Sequence, residues 1–163
     1  MPKRSADALL TSDPPRWLDE DEARLWRGLL ALSVRLQPVL DADLARLADL
    51  SLGEYEVLHL LSTVESGRLR MSELAALGLV SRSRLTYTVD RLERRGLVER
   101  GRCESDRRGV WAVLTDVGRE LLVATAPGHV ESVRTRLLDH LDADEVRAAS
   151  RVIDRLAVAL RDT

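Results

Sequence analysis

Leu25, Leu29, Leu32 and Leu36 recur at helical spacing, and Trp26 and Leu30 widen their stripe. The pattern predicts an amphipathic helix opening near Leu18-Asp19-Glu20-Asp21-Glu22, where acidic residues favour the positive end of the helix dipole. So wide a stripe predicts two buried faces, one toward the chain's own body and one toward a partner. Pro38 should kink this helix, because it lacks a donor and clashes with the preceding turn; the pattern resumes through Leu44, Leu47 and Leu50. Residues 1–17, with Pro14-Pro15, read as a loose arm. Tyr55, Val57, Leu58 and Leu61 place the next helix over Leu52 to Ser62. Gly67 marks a loop before a short extended stretch at Arg68 to Met71, and Ser72 to Leu77 reads as a short helix.

The segment from Ser81 to Thr115 organises the rest. Ser81 is a good N-cap. Leu85, Val89 and Leu92 share one helical face, and the opposite face centres on Ser83, Tyr87, Asp90 and Arg94, flanked by Arg84, Thr86 and Arg91. Asp90 is expected to pair with Arg94 or Arg91 and orient them. Gly96 ends the helix. Residues 97–100 and 110–114 read as short strands around a loop bounded by Gly101 and Gly109. A helix that can lie in a groove, followed by a hairpin that can reach sideways, suits nucleic acid. Thr115 can cap the following helix, with a kink or brief break expected at Pro127-Gly128 before it continues through Val130, Val133, Leu137, Leu138 and Leu141. Asp142 to Glu145 has the form of a capping box. The last helix carries Val146, Ala149, Ile153, Leu156 and Leu160.

Charge sharpens this picture. The 163-residue chain is −2 overall, yet Arg82 to Arg108 holds nine Arg against five acidic residues. Positive charge gathers where phosphate contact is expected. Lys3 is the only lysine; the other 24 basic residues are arginine, which suits bidentate contact with phosphate and guanine and equally fits a coding bias. With no Phe, the core must be Leu, Val and Ala, which favours helices. One Cys excludes an internal disulfide framework. No long apolar run or signal-peptide pattern is present, so a cytoplasmic protein without membrane contact is expected. His59, His129 and His140 are scattered and do not have metal-ligand spacing. No catalytic or nucleotide-binding motif occurs, so neither an enzyme nor a cofactor is expected.

The chain resembles the MarR family of winged helix-turn-helix transcription regulators. The likeness runs through LSLGEYEVLHLL (Leu50 to Leu61), MSELA (Met71 to Ala75), VSRSRLTYTVDRLERRGLVER (Val80 to Arg100), Asp106-Arg107-Arg108 and LTDVG (Leu114 to Gly118). The family usually places a glycine two residues before the serine that opens its recognition helix; here Leu79 stands there and Gly78 precedes it. The resemblance implies a mainly α chain with a small β-hairpin wing (α+β). Residues 51–118 form the winged helix-turn-helix lobe, residues 18–50 and 119–163 a helical dimerisation lobe, and residues 1–17 an arm.

It also implies a homodimeric, sequence-specific regulator of double-stranded DNA, expected to be a repressor released from a palindromic operator by a small, often phenolic or aromatic anionic molecule. Ser81, Arg82, Ser83, Arg84, Thr86, Tyr87, Arg91 and Arg94 are the candidate DNA contacts in the helix, with Arg107 and Arg108 in the wing. Asp90 and Asp106 support them, Asp106 by holding Arg108 in a fork-like salt bridge. Trp26, Tyr55 and His59 are candidates for the ligand pocket. Two rivals are a winged-helix protein-interaction module without DNA binding, which should lack a basic wing tip, and a redox-responsive regulator using Cys103. Nearby arginines would favour the Cys103 thiolate, while Glu104 and Asp106 oppose it.

Overall fold

In a computed structural model, residues 15–77, 82–102 and 109–161 are described. The chain divides into two compact units, residues 1–35 and 36–163. Helix α1 (Glu20–Ala48) supplies most of the described first unit and extends into the second. Asp19 opens it with a reciprocal box: its carboxylate accepts from the Glu22 amide at 2.8 Å and its own amide donates to Glu22 at 2.9 Å. In the first unit Trp17, Leu25, Trp26, Leu30 and Val34 are exposed. The helix continues through Pro38 without a break.

In the second unit, α2 (Leu52–Ser62), α3 (Met71–Leu77), α4 (Arg82–Arg94), α5 (Asp116–Arg136) and α6 (Ala143–Arg161) accompany three strands, β1 (Arg68–Arg70), β2 (Val98–Arg102) and β3 (Val110–Leu114). The strands form one antiparallel sheet in the order β1-β3-β2, so the hairpin gains a third strand from the stretch before α3. Leu69 and Ala112, paired across β1 and β3, face inward. They join Leu44, Val57, Leu58, Leu61, Leu74, Leu85, Val89, Leu92 and Leu122 in one core. Each large apolar side chain among them contributes about 1.5–3 kcal/mol on burial.

Local caps set the joints. Ser51 and Glu54 form a capping box at the start of α2. Thr115 caps α5 by accepting from the Gly118 amide at 3.0 Å, while its hydroxyl donates to the Gly96 carbonyl at 2.7 Å. Asp142 and Glu145 close the expected box before α6. Gly96 takes φ 68° at the end of α4. Asp49, with φ 53°, ends α1 in the left-handed region, a conformation that costs a non-glycine residue about 1 kcal/mol. Arg95 offsets that strain by donating to the carbonyls of Asp49 at 2.6 Å and Ala48 at 3.2 Å.

Two expectations for the C-terminal part are corrected. Of the kink or brief break expected at Pro127-Gly128, the break is absent, and α5 runs continuously through both residues. Gly128 lies where a Cβ would come within 2.9 Å of Leu47, and His129 is buried against Tyr55, so packing holds the helix across the lost proline donor. The helix also stops at Arg136, and Leu138–His140 form a 3-10 turn in place of a continued helix. Buried Asp43 of α1 anchors α5: its carboxylate accepts from Arg136 at 2.8 and 3.2 Å and from the Ser132 hydroxyl, and it also pairs with Arg46. Bonds from Arg136, then Ser132, hold its carboxyl well below the usual carboxylate range. That contribution is in place above the ordinary aspartate value, about 4, and is lost as pH falls through the depressed one.

Candidate nucleic-acid interface

Helix α4 presents the two faces its spacing predicts. Leu85, Val89 and Leu92 are fully buried, whereas Ser83, Arg84, Thr86 and Arg94 are exposed and Tyr87 is 60% exposed. Thr88 is buried and donates its hydroxyl to the Arg84 carbonyl at 2.9 Å. The buried face fixes the helix to α2 and the sheet, leaving the other face for a partner.

Asp90 pairs differently from the expectation. Its carboxylate meets Arg100 of β2, not Arg94 or Arg91. Arg100 also reaches Glu93 at 3.2 Å and the Thr86 carbonyl at 3.3 Å, while its amide donates to Glu93 at 3.3 Å. The guanidinium thereby ties the wing strand to both turns of α4 that flank Asp90. Arg94 instead donates to the Asp90 carbonyl at 3.2 Å. Arg91, half-exposed, lies 3.2 Å from the buried carboxylate of Glu54 at the start of α2. Arg91 thus combines an exposed part with an internal ion pair. The Asp90 pairing was hidden because a helix-spacing argument sees only partners three or four residues away. One signal was available: strand alternation that sends Val98 into the core sends Arg100 toward the helix side. Arg95, Arg100, Glu54 and Glu93 are the positioning residues that the spacing did not reveal.

Ser81 and the wing-tip candidates Cys103, Asp106, Arg107 and Arg108 lie outside the described residues, as does the Leu79 departure. For Arg82 the backbone is helical.

The MarR family sequence profile matches residues 48–109. The solved structure of Sco3205, a MarR family transcriptional regulator from Streptomyces coelicolor in complex with DNA, is 40% identical; the match covers 91% of this chain and 92% of that one, with a TM-score of 0.85. The chain belongs to the MarR family. AbsC, a MarR family regulator from the same organism, is 39% identical over 91% of this chain and all of its own, with a TM-score of 0.83. The HTH-type transcriptional repressor YetL of Bacillus subtilis is 27% identical over 144 residues, 86% of each chain. As a MarR-family member the chain is a DNA-binding transcription regulator and not an enzyme, and the three-stranded sheet with α3 and α4 is its winged helix-turn-helix.

Two of the three pocket candidates come together. Tyr55 and His59 line a cavity of about 320 Å³ with His129, Val130, Val133 and Leu138 among its walls. The Tyr55 ring lies 4.3 Å from His129 and 6.4 Å from His59, nearly parallel to the latter. His129 Nδ1 is buried without a hydrogen-bond partner, and burial is the main cause lowering the pKa of its imidazole, which favours the neutral form. Trp26 stands exposed on α1 in the first unit. Among the described residues no cluster of His, Cys, Asp and Glu could hold a metal, and no helix is long and apolar enough to cross a membrane.

Proposed function

We propose that this regulator is a homodimeric repressor acting in the cytoplasm on a palindromic operator. The observation that carries the reading is α4, whose apolar side is fully buried while Ser83, Arg84, Thr86 and Tyr87 are exposed. In this reading those side chains, with Ser81, Arg82, Arg91 and Arg94, enter the major groove, and Arg107 and Arg108, steadied by Asp106, work from the wing. Asp90 supports them through Arg100. The DNA-binding lobe spans residues 51–118; residues 18–50 and 119–163 form the dimer lobe behind an arm of residues 1–17. Exposed Leu25, Trp26 and Leu30 of α1, and Ile153, Leu156 and Leu160 of α6, supply the apolar surface that a second copy covers. Sco3205 was solved with DNA, and YetL is named a repressor.

Binding to a selected operator tests the interface. Thr86→Ala and Tyr87→Ala should relax base preference by about 1–3 kcal/mol at the contacted positions, with little change in salt dependence, because neither side chain is charged. Sedimentation of the complex should give two chains per operator. Unchanged base preference in both variants, or one chain per operator, overturns the reading.

In the same reading, a small aromatic or phenolic ligand enters the Tyr55–His59 cavity and releases DNA. The supporting observation is a cavity lined mainly by aromatic and aliphatic side chains, with Glu56 and Arg134 as its charged members. A tenfold weakening of DNA binding requires about 1.4 kcal/mol of differential affinity, and operator must weaken the ligand equally. Calorimetry with salicylate, with and without operator, should show that reciprocal loss. Equal affinities in both titrations would rule the coupling out.

A further inference from the structure

The outer face of the wing sheet, turned away from the core and α4, carries several arginines. In the strand register, Arg70, Trp111 and Gly101 share one row, and Arg68, Val113 and Glu99 share the next. Leu69, Ala112 and Arg100 lie in the alternate row, facing the core and α4. The guanidinium carbons of Arg68 and Arg70 lie 5.1 and 5.4 Å from the centre of the Trp111 ring. Gly101 leaves β2 without a side chain beside that ring; a Cβ there would stand 3.7 Å from Trp111 Cβ. Behind β1, Gly67 turns at φ 62° and Arg119 brings Nη2 to 3.2 Å from where its Cβ would be.

Two arginines, Arg68 and Arg70, therefore lie over one tryptophan, and Arg119 reaches the turn before β1. Glu99 shares the Arg68 row, and Glu73 accepts from the Arg70 amide at 2.7 Å. Even so, among the described residues neither Arg68 nor Arg119 lies within ion-pair distance of a carboxylate, unlike Arg91, Arg100 and Arg136. A guanidinium held over an aromatic face, as that of Arg68 is, keeps its N–H edges available to phosphate oxygens and has already lost part of its side-chain freedom. The Trp111 row is next to the Arg102–Val110 pair, the last described pair of the hairpin. The cluster thus sits at the base of the wing, where an arginine's reach extends past the edge of the sheet.

We propose that Arg68, ordered by Trp111, and Arg119, beside the Gly67 turn, form a second DNA-binding patch that holds backbone phosphates flanking the operator core. This rests on the reading that the wing engages DNA, because it is the wing that would bring the outer sheet face beside the duplex. Duplex phosphate is favoured by the positive charge and by continuity with the winged helix-turn-helix.

The test uses the full chain and two duplexes: the operator core alone, and the same core with about six added base pairs at each end, roughly half a helical turn. Wild type should bind the longer duplex about tenfold tighter at low salt. The Arg68→Ala/Arg119→Ala variant should match wild type on the core and gain nothing from the flanks. On the long duplex its salt slope should fall by about two per chain, one for each phosphate that the variant leaves unneutralised. Circular dichroism should show an unchanged fold, as both side chains are exposed. If wild type gains nothing from the flanks, or the folded variant retains the whole gain, the proposal is overturned. If wild type fails to bind even the core, the underlying reading of the wing fails first.

Discussion

Replacing Gly118 with alanine is expected to lower the melting temperature by roughly 6–12 °C, the shift that about 3 kcal/mol produces in a chain of this size. Gly118 lies in the first turn of α5, where its amide donates to the Thr115 hydroxyl at 3.0 Å. A Cβ there would fall on the carbonyl oxygen of Leu97 and lie 2.9 Å from Leu114 Cδ1. The Leu97 carbonyl is backbone and already accepts from the Thr115 amide at 3.2 Å, so it cannot turn aside as a side chain could. Relief requires moving α5 away from the end of β3, which breaks the joint between Gly96, Leu97 and Thr115. Gly28→Ala is the natural control: nothing lies within 4 Å of its added Cβ. That substitution should be neutral or stabilise by up to about 1 kcal/mol through helix propensity alone. Thermal unfolding of the two variants, followed by circular dichroism, measures the contrast. Equal melting temperatures would mean that α5 does not rest on Leu97 as described.

Arg100→Ala is expected to weaken operator binding about tenfold or more, equivalent to about 1.4 kcal/mol, while leaving the core intact. Three effects add. The wing strand loses its attachment to Asp90, Glu93 and the Thr86 carbonyl. Asp90 and Glu93 lose their common cation on the helix proposed to enter the groove, so their charges oppose phosphate. The register of wing and helix also loosens, and an interface that must dock both at once loses more entropy on ordering. All three side chains are partly exposed, so solvent limits the effect on folding itself, and a loss of no more than about 1 kcal/mol in stability is expected. Asp90→Asn in the Arg100→Ala background should recover part of the affinity, because it removes one of the orphaned charges. A double-mutant cycle on operator binding reads the coupling directly. Wild-type affinity in folded Arg100→Ala would show that the wing needs no attachment to α4.

How much was legible in advance depended on the range of the interaction. The division of α4 into a buried Leu85-Val89-Leu92 face and an exposed Ser83-Thr86-Tyr87 face follows from a 3.6-residue period, which any local stretch displays. Thr115 and Asp142 as caps, and Gly96 as a left-handed stop, were legible because each depends on only a few neighbouring residues. The family likeness likewise rested on short motifs in order. By contrast, a kink or brief break was expected at Pro127 and Gly128 because local propensity disfavours a helix there, while Leu47 and Tyr55, packed on Gly128 and His129 from other elements, hold it unbroken.

Local pattern thus settled most of the helices, their faces, the basic central segment and the family, but not the end of α5. Beyond pairs three residues apart on one helix, such as Arg24 with Asp21 and Arg147 with Asp144, which charges meet was settled by packing. Packing gave Arg100 to Asp90, Arg91 to Glu54 and Arg95 to the end of α1, and it brought His129 beside Tyr55 and Arg68 beside Trp111. Arg95 and Asp49 are 46 residues apart, and Arg68 and Trp111 belong to strands separated by two helices. The physical reason is that an arginine's charge acts on whatever chain packing brings within a few ångströms, and a chain rich in both arginine and acid offers many partners of nearly equal local merit. Hydrophobic periodicity chooses a face; only the packed core, by fixing where each face lies, chooses the partner.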